Sequence, residues 1–90
     1  MKTAKQLERH FKGVANHHRI RILLLIAGQK GVTLESIAES LNANIKTISE
    51  HTRKLVLAGL VDKWYVWKNV NHKLSPYGEI FVKFIKSFKT

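Results

Sequence analysis

Lys46, Ser49, Glu50 and Arg53 stand at i, i+3, i+4 and i+7, so a helix through them would carry all four on one side. Side chains of these types hydrogen-bond to the edges of base pairs. An arginine donates twice to guanine O6 and N7, a pair that discriminates by roughly 1–3 kcal/mol, and a glutamate accepts from cytosine N4. Thr47 and Ser49 can bond phosphates or bases, and Ile45 can touch a thymine methyl. Asn44 and Lys54 complete the candidate set. The plainer reading is a solvated, salt-bridged surface with Glu50 paired to Lys46 or Lys54. Ile48, Thr52 and Leu55 fall on the opposite, inward side.

A face of this kind needs a frame. Ala4, Leu7, Phe11 and Val14 recur at helical spacing, and Gly13 offers a left-handed cap at the end of that segment. Asn16 is placed to cap a second helix reaching Gly28, apolar around much of its circumference and therefore central to the core. Gly28 and Gly31 bracket a turn, and Val32 adds a short strand. Thr33 caps a third helix to about Leu41, with Ile37, Ala38 and Leu41 inward. Asn42 suits a left-handed turn, Asn44 caps a fourth helix over 45–58, and Gly59 stops it. The segments 60–66 and 69–74 are rich in β-branched and aromatic residues and read as a hairpin turning at Lys68-Asn69. Pro76 closes it, and a last helix carries Ile80, Phe81, Phe84, Ile85 and Phe88, with Lys83, Lys86 and Lys89 on its other side. Two helices, a helix-turn-helix, a hairpin and a final helix make a mainly α fold with a small β-hairpin. This is a winged helix-turn-helix of about five helices, one domain over 1–90.

In the hairpin, Lys63, Lys68, Lys73, Asn69 and Asn71 surround Trp64, Tyr65 and Trp67. The tip, Lys68-Asn69, is placed to enter a minor groove or grip phosphates. Strand alternation sets Trp64 and Trp67 on opposite faces, so one is expected buried and one exposed. An exposed tryptophan beside lysines also suits stacking on single strands.

Sixteen Lys+Arg against six Asp+Glu give a net charge of +10, which draws the chain to polyanions, nucleic acid first and an anionic membrane surface second. No cysteine is present, so disulfides and thiolate metal sites are excluded. No apolar run can span a bilayer and no signal-peptide core is visible, so a cytoplasmic location is expected. There is no phosphate-cradling glycine loop, no usefully paired carboxylates and too little chain for a deep pocket. Neither an enzyme nor a cofactor is expected.

Asn16-His-His-Arg-Ile-Arg-Ile-Leu23 resembles the D-P-x-R-x-x-I-L helix of the ArsR family of repressors. Thr47-Ile-Ser-Glu-His-Thr-Arg-Lys-Leu55 is similar to its T-V-S-x-H-L-x-x-L recognition helix, and Ala58-Gly-Leu-Val61 to its A-G-L-V step into the wing. The resemblance spans about 7–88, and MarR-like domains share the A-G-L hinge. It implies a homodimer that binds a near-palindromic operator in double-stranded DNA and represses transcription. Its metal-sensing members carry Cys-x-Cys where this chain has Thr33-Leu34-Glu35, or Asp and His ligands along the last helix, where only Glu79 stands here. Neither arrangement is present, so no metal of those types is expected.

Five histidines leave room for another site, with His10 paired to His17 or His18, but surface histidines without a ligand are the plainer reading. Adjacent His17 and His18 should point about 100° apart on a helix. His51 matches the family's recognition-helix histidine and is expected to pack on a neighbouring helix; His72 is open to a phosphate or a packing role.

The first and last helices, through Leu7, Phe11, Ile80, Phe81, Phe84, Ile85 and Phe88, present more apolar surface than a small core absorbs. A dimer there would set two recognition helices about one DNA turn, roughly 34 Å, apart. An amphipathic membrane-surface helix competes with that reading. The competing function is a winged-helix module for RNA or protein contacts, with only nonspecific affinity for nucleic acid.

Overall fold

Each helix begins on a side chain that accepts from an otherwise free backbone amide. In the computed structural model, which describes residues 1–88, Thr3 opens α1 (Ala4–Val14) through a reciprocal box with Gln6. Asn16 caps α2 (His17–Gly28), and Thr33 caps α3 (Leu34–Ser40). Asn44 caps α4 (Ile45–Leu57), and Ser75 caps α5 (Pro76–Lys86), whose first position is proline. Lys89, expected on the polar side of the last helix, lies outside the described residues.

β1 (Val32–Thr33), β2 (Val61–Val66) and β3 (Asn69–Leu74) form an antiparallel sheet in the order β1-β3-β2. Val32 faces His72, and Val61 faces Leu74. The short strand after Gly31 is therefore the third strand of the wing and ties α2 and α3 to it.

The core gathers Ile22, Leu23 and Ile26 from α2, Ile37 and Ala38 from α3, Ile48 and Leu55 from α4, and Leu60, Val61 and Val82. The second helix is central, as its all-round apolar pattern required. Two backbone turns follow the sequence closely. Asn42 (φ 49°) turns the chain between α3 and α4, and Gly59 (φ 75°) ends α4.

Several expectations need correction. Gly13 is not a cap: it lies inside α1, where a Cβ would collide with that of Ala58, so it is a close-approach point between α1 and the end of α4. The hairpin turns at Trp67-Lys68, one residue earlier than expected, because Val66 pairs with Asn69. Neither tryptophan is buried: Trp64 is 36% exposed and Trp67 95%. The wing meets the core only at its base, through Val61, His72 and Leu74, and Trp67 stands in the turn, outside any strand alternation. On α5, Gly78 and Val82 face inward, while Phe81 and Ile85 are half-buried against the core. Those two belong to the fold as much as to any partner.

Candidate nucleic-acid interface

α4 lies with Ile48, Thr52 and Leu55 buried and its other side open. At about 100° per residue, Ser49, Arg53, Lys46, Leu57 and Glu50 share that open side, with Thr47 and Lys54 on the shoulder nearest α1 and α2. All are exposed, as is Ile45 at the helix start. Thr52 donates its hydroxyl to the Ile48 carbonyl at 2.7 Å, which satisfies the one polar group on the inward face of this helix's middle turn. Asn44 is partly committed: its side-chain oxygen accepts from the Lys46 amide at 2.8 Å, leaving its NH₂ group for a ligand.

Glu50 does not pair with Lys46 or Lys54. Its carboxylate accepts from Arg53 Nη2 at 3.2 Å, and that hydrogen bond, then the arginine charge, holds its pKa below the usual value. Both side chains are solvent-exposed, so the pair contributes little to stability. The pair sets the arginine fork beside Glu50 on the open face of α4.

Beside Lys54 lies a crevice of about 310 Å³ lined by Arg9, Lys12, Gly13, Arg19, Lys54, Leu57 and Ala58. Four cations line it and no carboxylate does. Arg19 Nε is buried there without a hydrogen-bond partner. The cations were invisible as a group in the sequence, because two come from α1, one from α2 and one from α4. Glu8 partly offsets Lys12, at 3.7 Å across an exposed helix surface.

The histidines divide by environment. His10 is buried and donates Nδ1–H to the Ala58 carbonyl at 2.6 Å, its ring 4.9 Å from that of Tyr77. His72 is buried at the wing's base and donates to the Val32 carbonyl at 3.0 Å; burial pushes its pKa down despite that bond. Its role is packing. His51 stacks on His18 with ring centroids 5.3 Å apart, as a helix-packing residue should, and its pKa is lowered first by burial and then by the Arg19 charge. The ring centroids of His17 and His18 lie 4.0 Å apart, closer than a 100° divergence suggested. Among the described residues no group of three His, Cys, Asp or Glu side chains is placed to hold a metal ion.

The wing carries Lys63, Lys68, Asn69 and Lys73, all exposed, and the Lys73 ammonium sits 5.7 Å from the Trp64 ring. On the opposite flank, Leu7, Phe11, Ile80 and Phe84 are 38–60% exposed, and with Phe81 they line a groove of about 260 Å³. Phe11 and Phe81 meet edge to face at 5.0 Å, and Phe88 is 73% exposed beyond them. Of the seven residues expected at an interface, five are thus open to solvent.

A helix with one open polar side, a partner helix set across a short left-handed turn, and a hairpin beside them define the class. A family model described as a helix-turn-helix domain matches residues 14–63, more than half of the chain, so the chain belongs to the helix-turn-helix domain family. Its hairpin and last helix make it a winged member. Its structure is similar to that of HlyU from Vibrio cholerae, with a TM-score of 0.84 at 20% identity, covering 93% of this chain and 91% of that one. It is also similar to the homodimeric winged helix-turn-helix DNA-binding domain of Mb0332 from Mycobacterium bovis, described as a possible ArsR-family transcriptional regulator. There the TM-score is 0.79 and the identity 24%, over 92% of this chain and 80% of that one. A crystal structure of a possible transcriptional regulatory protein from the same organism matches at a TM-score of 0.80 and 26% identity, covering 98% of this chain and all of that one (100%). No curated protein matches the sequence significantly. These findings agree with the ArsR resemblance. Among the described residues no helix is long and apolar enough to cross a membrane.

Proposed function

We propose that the chain is a sequence-specific double-stranded DNA-binding transcriptional regulator, a repressor acting as a homodimer on a near-palindromic operator. The observation that carries this reading is the uncovered side of α4, where Lys46, Ser49, Glu50 and Arg53 stand together with Arg53 held ready by Glu50. In this reading α4 lies in the major groove, and Asn44, Ile45 and Thr47 reach base edges or phosphates near its start. Lys54, Lys68 and Asn69 grip the backbone. Glu50 releases Arg53 to guanine and turns to a cytosine amine; at a wrong base the two stay paired with each other and the bonds to the base are lost.

The dimer is supported by the apolar flank on α1 and α5, where Leu7, Phe11, Ile80 and Phe84 lie exposed around one groove. The M. bovis Mb0332 domain, similar in fold, is described as homodimeric. Two copies joined through Leu7, Phe11, Ile80, Phe84 and Phe88, with Phe81 and Ile85 at the edge, would present two α4 helices to one side of a duplex. In this reading the regulator works in the cytoplasm and needs no cofactor.

The experiment is a titration of labelled duplexes at increasing salt, with unrelated duplex, RNA and single-stranded competitors. A regulator of this kind loses affinity steeply with salt yet keeps a large preference for one duplex sequence. Equal retention of all nucleic acids, following salt alone, would favour a winged-helix module for RNA or protein contacts.

A further inference from the structure

Trp67 occupies the first turn position of the β2–β3 hairpin with φ at +58°. Left-handed backbone is easy for glycine and tolerable for asparagine, and a bulky side chain there is strained. The chain places its largest side chain at this point, 95% exposed, with nothing of the fold packed on it. Strained, fully solvated aromatic surface is retained where it does something that a turn residue cannot.

The surroundings select the partner. Lys68 follows Trp67 in the turn and Lys63 lies further down β2, while the hairpin's carboxylate, Asp62, stands at the wing's base opposite Lys73. An apolar protein surface would not call for this density of cations; a polyanion with flat apolar faces inside it would. Trp64 is different, lying under the Lys73 ammonium and only 36% exposed, which marks it as belonging to the wing's scaffold.

The geometry points to Trp67 as a stacking wedge: the wing tip inserts its indole at a base-pair step of duplex DNA, entering from the minor groove, while the neighbouring lysines hold the flanking phosphates. This rests on the duplex-binding reading above and deepens it. An inserted ring must separate adjacent stacked base pairs, so the wing reads deformability and not base identity. Flexible pyrimidine–purine steps, TA above all, are favoured beneath it.

The test uses the Trp64→Phe chain, in which Trp67 is the only tryptophan. A random-sequence duplex carrying a fluorescein label reports binding by anisotropy, and an unlabelled copy is used to follow indole emission. Insertion quenches Trp67 strongly and closes it to acrylamide at saturation. Saturated binding with Trp67 emission and accessibility unchanged overturns the wedge while leaving duplex binding intact. Absence of duplex binding in the native chain overturns both. Quenching by the single strand of the same sequence but not by the duplex also overturns the wedge, in favour of a single-strand platform.

A second variant guards against misfolding. Trp67→Asn relieves the left-handed strain, so its thermal midpoint is expected unchanged or raised. Its duplex affinity is expected to fall roughly tenfold, within the range of one base–aromatic stack. The native chain's preference for a duplex with a mismatched or TA step disappears with it. Native affinity and native preference in Trp67→Asn would contradict the wedge.

Discussion

Phe84 offers the sharpest test of the dimer. It is 50% exposed on the solvent side of α5, two residues past inward-facing Val82 and so about 200° round the helix from it, and truncating it should leave the fold intact. A buried phenylalanine removes about 200 Å² from water, so covering the exposed half removes about 100 Å², or about 2.5 kcal/mol at 25 cal/mol per Å². Alanine keeps the Cβ, so about 2 kcal/mol per copy is the larger figure to expect. A two-fold interface counts the residue twice, giving about 4 kcal/mol and a roughly thousandfold weaker dimer. Burial does not convert fully into affinity, so a loss of at least about tenfold is the minimum consistent with the geometry. Sedimentation velocity across a wide concentration range measures the shift, with circular dichroism and thermal midpoint checking that the fold survives. Phe84→Asp, which would bury an unpaired carboxylate, should leave only monomer. A well-folded Phe84→Ala chain that dimerises like the native one would refute placing the interface on this flank.

Three further outcomes are expected. Gly13→Ala should destabilise by about 1–2 kcal/mol, because overpacking against Ala58 exceeds the gain in helix propensity; urea unfolding measures it, and Ala58→Gly in the same chain should restore much of the loss. His72 and His51 both have folded-state pKa values pushed below 6.5 by burial, so the unfolded chain takes up their protons first. Stability should therefore be complete above about pH 6.5 and decline as pH falls below it, by at most about 1.4 kcal/mol per pH unit for each histidine; urea midpoints flat from pH 7.5 to pH 5 (about the range before carboxylates titrate) would contradict this. Lys68→Ala and Lys12→Ala should each weaken binding to all duplexes alike and flatten the slope of log affinity against log salt by about 0.9 per phosphate lost. The cations of the crevice beside Lys54 are expected to take a phosphate as well, and an unchanged slope for Lys12→Ala would contradict that.

Local rules carried most of the frame. Asn16, Thr33, Asn44 and Gly59 stand where caps and stops require them, and the all-round apolar pattern after Asn16 could only be a core helix. The open side of α4 was legible because i, i+3, i+4, i+7 spacing is a property of one helix. What failed depended on distance or on conflict. Gly13 serves either as a cap or as a close-approach point, and only the position of Ala58, far along the chain, decides between them. The turn was misplaced because Asn69 is the better turn residue, yet strand pairing puts Trp67 in the left-handed position. Alternation misjudged the tryptophans because it assumes both faces of a sheet meet something, whereas this wing projects beyond the core. The basic crevice needed α1, α2 and α4 brought together before its four cations could be seen as one feature.

In the proposed function the open side of α4 reads base pairs. The most direct measurement is selection of bound duplexes from a random pool at physiological salt, run in parallel with the native chain and with Arg53→Ala. The native chain should recover a near-palindromic motif with half-sites about one helical turn, roughly 34 Å, apart. Arg53→Ala should recover the same motif relaxed at one base position per half-site. Retention of duplexes without enrichment, or an identical motif from both chains, would contradict the account.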